Sequence, residues 1–190
     1  MRWTNELMHF PSWSGFEEWG ERNAALARDV APGRGTLVDY GCGGGAVSSR
    51  LSPEFGGTVL VDVNPSAVAA ARARCFGRVR TCRPEDALLG AVSADVVVCT
   101  AVLQHCDPPA AEWALRRISG LLAPDGGALI QTRWHARDAP AGSFEARCLW
   151  SDDEAARAMW DAGLSAVIVC RDDWAGYTWW ACARAETSRR

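Results

Sequence analysis

Leu37–Ala46, LVDYGCGGGA, decides how this chain is read: a short apolar run, an acid, then four closely set glycines. Leu37 and Val38 begin a buried strand that ends near Asp39, and Gly41, Gly43 and Gly45 let the backbone turn without side chains. A ligand can lie directly on such a turn. The helix expected from about Ala46 through Leu51 would present unpaired N–H groups and the positive end of its dipole to the same spot. Together these features describe a nucleotide-type cofactor site.

Two templates fit the glycines. Gly41–Ala46 satisfies G-x-G-x-x-A, the dinucleotide fingerprint in which a helix N-terminus holds a pyrophosphate. Asp39 separates that reading from its rival. A carboxylate two residues before the first glycine repels a pyrophosphate and attracts a cationic ligand. Thr58–Asp62 is a second apolar strand ending in an acid. Asp62, followed by Val63, stands where a carboxylate accepts hydrogen bonds from ribose hydroxyls, a pairing that by itself indicates only a ribose. An Ala/Arg-rich helix from about Ala67 to Cys75 comes next. Val79–Cys82 then reads as a short third strand, with Arg83-Pro84-Glu85-Asp86 behind it.

Asp39–Gly45, read as D-x-G-x-G-x-G, resembles the first motif of class I S-adenosylmethionine-dependent methyltransferases. The stretch from Ala94 to Pro108 is similar to the fourth motif of their small-molecule branch: an acid, a β-branched run, a small polar residue at the strand tip, and L-x-H-x-x-P beyond it. The likeness spans most of the chain. It implies a Rossmann-like, doubly wound α/β fold with a mostly parallel seven-stranded sheet, the last strand antiparallel, in one domain. Residues 1–34 would be an N-terminal helical aromatic lid, and 35–190 the S-adenosylmethionine-binding core. The cofactor would be S-adenosylmethionine, with S-adenosylhomocysteine as product, its ammonium and sulfonium groups gaining from Asp39. Asp39, Gly41, Cys42, Gly43, Asp62, Val63, Asp86, Thr100 and Ala101 are the implied cofactor contacts, and Asp86, or Glu85 in its place, would pair with the adenine amino group. Thr100 at the fourth strand tip, in place of a carboxylate, speaks against the catechol-type enzymes that bind a divalent ion.

Pro108-Pro109 open a helix through Leu121, and Ala123–Gly127 is expected to break the chain before a fifth strand, Ala128–Thr132. Ser151–Glu154 is a capping-box start for a helix ending near Gly163. Strands Ser165–Val169 and Tyr177–Ala183 follow, joined by a turn. Trp113 and Trp160 are read as core. Trp179 and Trp180 point to opposite faces of the last strand, so at most one is expected in a sheet–helix layer. Trp3, His9, Phe10, Trp13, Phe16 and Trp19 precede the first strand. With Gln104, Trp134 and Trp150, the aromatic residues Trp13, Phe16 and Trp19 are the candidates for holding a methyl acceptor, since tryptophans suit a small, flat or cationic molecule. His105 and His135, each past a strand tip, are the candidate general bases.

Composition narrows the partners. The chain of 190 residues has no apolar run able to span a bilayer, and its net charge of −3 gives a phosphate track no basic face, so neither membrane nor nucleic acid is expected. Eight cysteines without a C-x-x-C pair read as reduced cytoplasmic thiols. His105-Cys106-Asp107 is too local to hold a metal, and none is expected. All twenty basic residues are arginine, which excludes a Schiff-base or Walker A lysine and points to a high-GC coding bias. No feature fixes an oligomeric state. The reading is methyl transfer to an O, N or C atom of a small molecule, in bacterial specialised (natural-product) metabolism. An NAD(P)-dependent oxidoreductase and a non-catalytic S-adenosylmethionine-binding partner of another enzyme are the alternatives.

Overall fold

In the computed structural model, which describes residues 13–134, 148–172 and 176–185, the apolar runs become seven strands: β1 (Thr36–Tyr40), β2 (Gly57–Val61), β3 (Val79–Cys82), β4 (Ala94–Cys99), β5 (Leu122–Arg133), β6 (Leu164–Asp172) and β7 (Tyr177–Arg184). They pair in one sheet in the order β3-β2-β1-β4-β5-β7-β6. Pairing is parallel throughout except for β7, which runs antiparallel to both β5 and β6. The order reverses between β1 and β4, and in an open α/β sheet the crevice beyond the strand ends at that point is where ligands gather.

Helices cover both faces. α1 (Trp13–Val30), α2 (Ser48–Leu51) and α3 (Pro65–Arg74) lie on one side. There Ala24, Ala27, Leu37, Leu51, Val96, Val98, Leu129 and Trp179 form one apolar cluster, with Leu60 and Ala71 in a smaller one. α4 (Pro108–Leu121) and α5 (Asp152–Asp161) cover the other, where Val38, Val97, Leu115, Ile118, Ile130, Met159 and Trp180 meet. The central strands β1, β2 and β4 therefore have both faces buried, as parallel strands require, whereas the edge strands β3 and β6 stay largely exposed. Asn64 caps α3 by accepting from the Ser66 and Ala67 N–H groups, and Ser151 with Glu154 forms the expected capping box at α5. Among the described residues no helix is long and apolar enough to cross a membrane.

Several expectations need correction. The helix after the glycines is one turn, because Pro53 lacks the N–H that would continue it and the chain passes into a 3-10 turn, Ser52–Glu54. The break at Ala123–Gly127 does not separate helix from strand. β5 begins at Leu122 and absorbs the turn as a bulge, five of its residues matching two of β4 between the pairs Ala94–Leu122 and Val96–Gly127. Trp113 and Trp160 are not core residues: they are 40% and 64% exposed. α4 buries Ala111, Ala114, Leu115, Ile118 and Leu121, a stripe that leaves Trp113 outside, where the Arg117 guanidinium lies over its ring. Trp179 and Trp180 are both buried, one in each layer. The Trp179 indole N–H donates to Asn23 Oδ1 at 2.7 Å, and that of Trp180 to Thr132 Oγ1 at 2.9 Å.

Candidate cofactor and acceptor site

The glycine loop leaves β1 at the switch point, with positive φ at Gly41 (79°), Gly43 (48°) and Gly45 (78°). Two of these glycines also permit close packing. A Cβ on Gly41 would collide with Val102, and one on Gly45 would stand 2.8 Å from Ala71 Cα in α3, whereas Gly43 faces open space. The loop is thus clamped on two sides and bare at its centre, the geometry of a cradle.

Its amide groups are largely spent on the protein itself. The Gly41 and Cys42 N–H groups donate to Val61 O, that of Gly45 to Cys42 O, and that of Ser49 to Gly45 O. Gly43 N–H donates to Asp62 Oδ2 at 2.9 Å, and Ser48 N–H to Asp39 Oδ2 at 3.2 Å. The free N–H array expected at the helix start is therefore absent at these positions, and carboxylates stand where a pyrophosphate would need donors. Asp39 is buried. Burial pushes its carboxyl up to about 6, partly offset by the Ser48 hydrogen bond and reinforced by the nearby charge of Asp62. A buried anion with this penalty gains from any cation brought beside it. Asp62 is half-buried, and its other oxygen accepts from Asn64 N–H at 2.9 Å; each oxygen retains a lone pair for a ligand hydroxyl. Val63 beside it is exposed. Asp86 closes a turn by accepting from Arg83 N–H at 2.7 Å, immediately before a 3-10 helix, Ala87–Ala91.

Beyond β4, Thr100 is buried and Ala101 adopts φ 57°, the only positive value at a non-glycine among the described residues. Such a conformation persists where its surroundings hold it. Gln131 does so: its Oε1 accepts the Ala101 N–H at 2.7 Å, and its buried Nε2 has no hydrogen-bond partner. Gln131 pairs with Trp179 in the sheet and lies on the α1 face. Gln104, in the 3-10 turn Leu103–His105, is buried, with Nε2 donating to the Tyr177 hydroxyl at 3.3 Å and Oε1 unpartnered. His105 ends that turn, half-buried. Cys148 N–H donates to Gln104 O and Trp150 N–H to Arg133 O, so the chain returning from 135–147 passes over the ends of β4 and β5. Trp134, half-exposed, borders an open cavity of about 250 Å³ with Ser151, Asp152 and Arg171.

On the opposite flank, Phe16 is buried in α1 with the Arg74 guanidinium over its ring, and Trp19 packs on the α1 cluster. His135, His9, Trp3 and Phe10 lie outside the described residues, as does the side chain of Trp13. Sequence reasoning missed Gln131, Asn23 and the Glu17–Arg50–Arg74 group on α1 and the loop. Gln131 did leave a signal, a lone amide in an otherwise apolar strand.

Residues 38–128 match a family model described as a methyltransferase domain. That stretch resembles a methyltransferase domain, and the fold around it is the one that class I S-adenosylmethionine-dependent methyltransferases share. Enzymes of this family take their methyl group from S-adenosylmethionine and leave S-adenosylhomocysteine. The chain superposes on an S-adenosylmethionine-dependent methyltransferase from Clostridium acetobutylicum with a TM-score of 0.68 at 11% identity, covering 90% of this chain and 92% of that one. An S-adenosylmethionine-bound amino pentose methyltransferase of calicheamicin biosynthesis from Micromonospora echinaspora gives 0.68 at 19% identity, covering 90% and 92%. A 1,6-didemethyltoxoflavin N1-methyltransferase from Burkholderia thailandensis, bound to its acceptor and S-adenosylhomocysteine, gives 0.67 at 22%, covering 90% and 80%. At these identities the likeness is one of fold. No curated protein matches the chain in sequence.

Proposed function

We propose that the enzyme methylates an O, N or C atom of a small, flat metabolite, in the cytoplasm of a high-GC bacterium and in its specialised metabolism. The observation that carries the cofactor side is the pair Asp39 and Asp62, which occupy the loop amides and set negative charge at the switch point. That arrangement fits a cationic nucleoside and opposes a pyrophosphate. When bound, S-adenosylmethionine supplies a methyl group already activated by its sulfonium. Asp39 balances the positive charge, Asp62 takes the ribose hydroxyls, Val63 and Asp86 border the adenine, and the backbone of Gly41, Cys42 and Gly43 supports the methionine portion. Thr100 and Ala101 border the reacting methyl. The neighbours named above that act on an amino pentose and on didemethyltoxoflavin support the acceptor class, as do eight free cysteines the compartment.

On the acceptor side, Gln131 Nε2 and Gln104 Oε1 offer one donor and one acceptor, both fixed by their other hydrogen bonds. Phe16 and Trp19 on α1, with Trp134 and Trp150 after β5, exclude water and stack on a planar ring, and Trp13 is a further candidate from its place in the sequence. His105 and His135 are the candidates for removing a proton from a hydroxyl or ammonium.

Titration calorimetry tests the cofactor reading: S-adenosylmethionine and S-adenosylhomocysteine bind, NAD and NADP do not, and Asp62→Ala weakens binding by about 1.5–3 kcal/mol, the scale of hydrogen bonds to a charged group. Tight NAD binding without a response to S-adenosylhomocysteine would sink it. For catalysis, with an acceptor found by mass-spectrometric screening, replacing the true base by Gln lowers kcat by about 10²–10⁴-fold and leaves cofactor affinity intact. If neither His105→Gln nor His135→Gln changes the pH–rate profile, the acceptor is itself nucleophilic and no base is used.

A further inference from the structure

α1 is fastened to the cofactor loop through charge. Glu17 pairs with the guanidinium groups of both Arg50, in α2, and Arg74, in α3; its contact with Arg74 is 2.6 Å. Arg50 also pairs with Glu21, one turn along α1, at 3.1 Å. Each arginine then reaches the loop with a further nitrogen. Arg74 Nη1 donates to Gly44 O at 3.2 Å, and Arg50 Nη1 to Ala46 O at 2.7 Å. Gly20 brings the helix axis close to the same place, since a Cβ there would stand against Ala46 O. The side chains of Glu17, Arg50 and Arg74 are 31%, 17% and 25% exposed, so water screens these contacts only in part. The two guanidinium groups hold the carboxyl of Glu17 below the usual carboxylate range, Arg50 foremost.

A carbonyl fixed by a guanidinium fixes its whole peptide plane, and the planes at Gly44 and Ala46 follow directly on the bare Gly43. The same network decides where α1 lies. Without Glu17, Arg50 keeps only Glu21 of its two carboxylates and Arg74 loses its contact with α1, and the geometry that holds the two carbonyls loosens. α1 also carries Phe16 and Trp19, the aromatic cover proposed for the acceptor.

We propose that Glu17 is a positioning residue that couples cofactor occupancy of the glycine loop to the docking of α1. Because such coupling is reciprocal, a docked helix raises cofactor affinity, and a bound cofactor tightens the helix that closes over the acceptor. The inference rests on the methyltransferase reading of the loop, and S-adenosylhomocysteine is the probe that separates the two.

The test is calorimetry and amide hydrogen exchange on the full chain, at a temperature where circular dichroism shows every variant folded. Glu17→Ala weakens S-adenosylhomocysteine binding by about 5- to 20-fold, a normal range for coupling between sites. Glu17→Gln, whose single amide oxygen can accept from only one of the two guanidinium groups, falls between. Glu17→Ala/Arg74→Ala is no weaker than the worse single variant, because both act through one network. In the unsubstituted protein the ligand slows exchange across α1 residues 15–22, and in Glu17→Ala it does not. A purely structural role for Glu17 lowers the melting temperature and leaves both readouts unchanged. Affinity within twofold of the original, additive losses in the double variant, or ligand protection of α1 that survives Glu17→Ala each overturns the proposal. Failure of the unsubstituted protein to bind S-adenosylhomocysteine overturns the cofactor reading instead.

Discussion

Asp39 concentrates the conflict between stability and function in one side chain. It is the last inward-facing position of β1 on the α1 face, and burial raises its carboxyl from 3.8 to about 6. The ionised form is therefore disfavoured by ~3 kcal/mol in the ligand-free fold. Because the folded state holds the proton more tightly than the unfolded chain, this contribution favours folding at low pH and is lost as pH rises from about 4 through 6. Asp39→Asn keeps an oxygen for Ser48 N–H and removes the charge. The variant melts higher than the parent at pH 7.5, with the advantage vanishing near pH 4, yet binds S-adenosylmethionine far more weakly. In the parent, affinity for S-adenosylmethionine falls as pH drops below about 6, where a proton competes for Asp39. Scanning calorimetry and binding titrations across pH 5–8 check both arms, and an Asp39→Asn variant no more stable at pH 7.5, or binding as tightly, refutes the assignment. Asp39 and Asp62 were legible in the sequence as candidates because each closes an apolar run, Asp39 just before the glycines. Glu17 was not: its partners lie 33 and 57 positions away, and nothing local marks an exposed-looking helix acid as a clamp.

At the scale of elements, what the sequence reveals depends on whether the signal is local. β3 and α4 stand at their expected bounds, and the capping box at Ser151 forms as written, a contact worth about 1 kcal/mol and visible in four consecutive residues. α2 falls short because Pro53, also visible, outweighs the helical pattern around it. The tryptophans divide the same way. Trp113 lies off the i, i+3, i+4, i+7 stripe that α4 buries, so period alone places it outside; residue type argued the other way and lost. Trp179 and Trp180 alternate faces as a strand demands, but whether each face is covered is decided by α1 and by α4 and α5, remote in sequence. The Asn23–Trp179 hydrogen bond spans 156 positions and could not be read locally, although a buried amide among the alanines of α1 has to find a partner somewhere.

For the whole molecule, the question is where the catalytic core begins. The sequence places a boundary between residues 34 and 35, with everything before it a lid. α1 does not divide from the sheet so simply. Its second half, from Asn23, buries Ala24 and Ala27 against Leu37, Val96, Leu129 and Trp179 and satisfies the Trp179 indole. Its first half carries Phe16 and Glu17, which meet Arg74 and Arg50 beside the glycine loop, and Trp19, which packs on the edge of the same apolar cluster. The working boundary therefore falls inside α1, and two truncations distinguish this from the simpler division. A chain starting at Asn23 retains the sheet by circular dichroism and unfolds cooperatively at a lower temperature, but loses turnover and most of its affinity for S-adenosylhomocysteine. A chain starting at Thr36 exposes the apolar Trp179 face and removes the Asn23 acceptor of its indole N–H, and aggregates or stays unfolded. If the shorter chain folds as well as the longer, the lid reading of 1–34 is right as first drawn, and α1 contributes to binding alone. If neither folds, Phe16 and Trp19 are core, and the aromatic cover must come from the loop between Trp134 and Trp150.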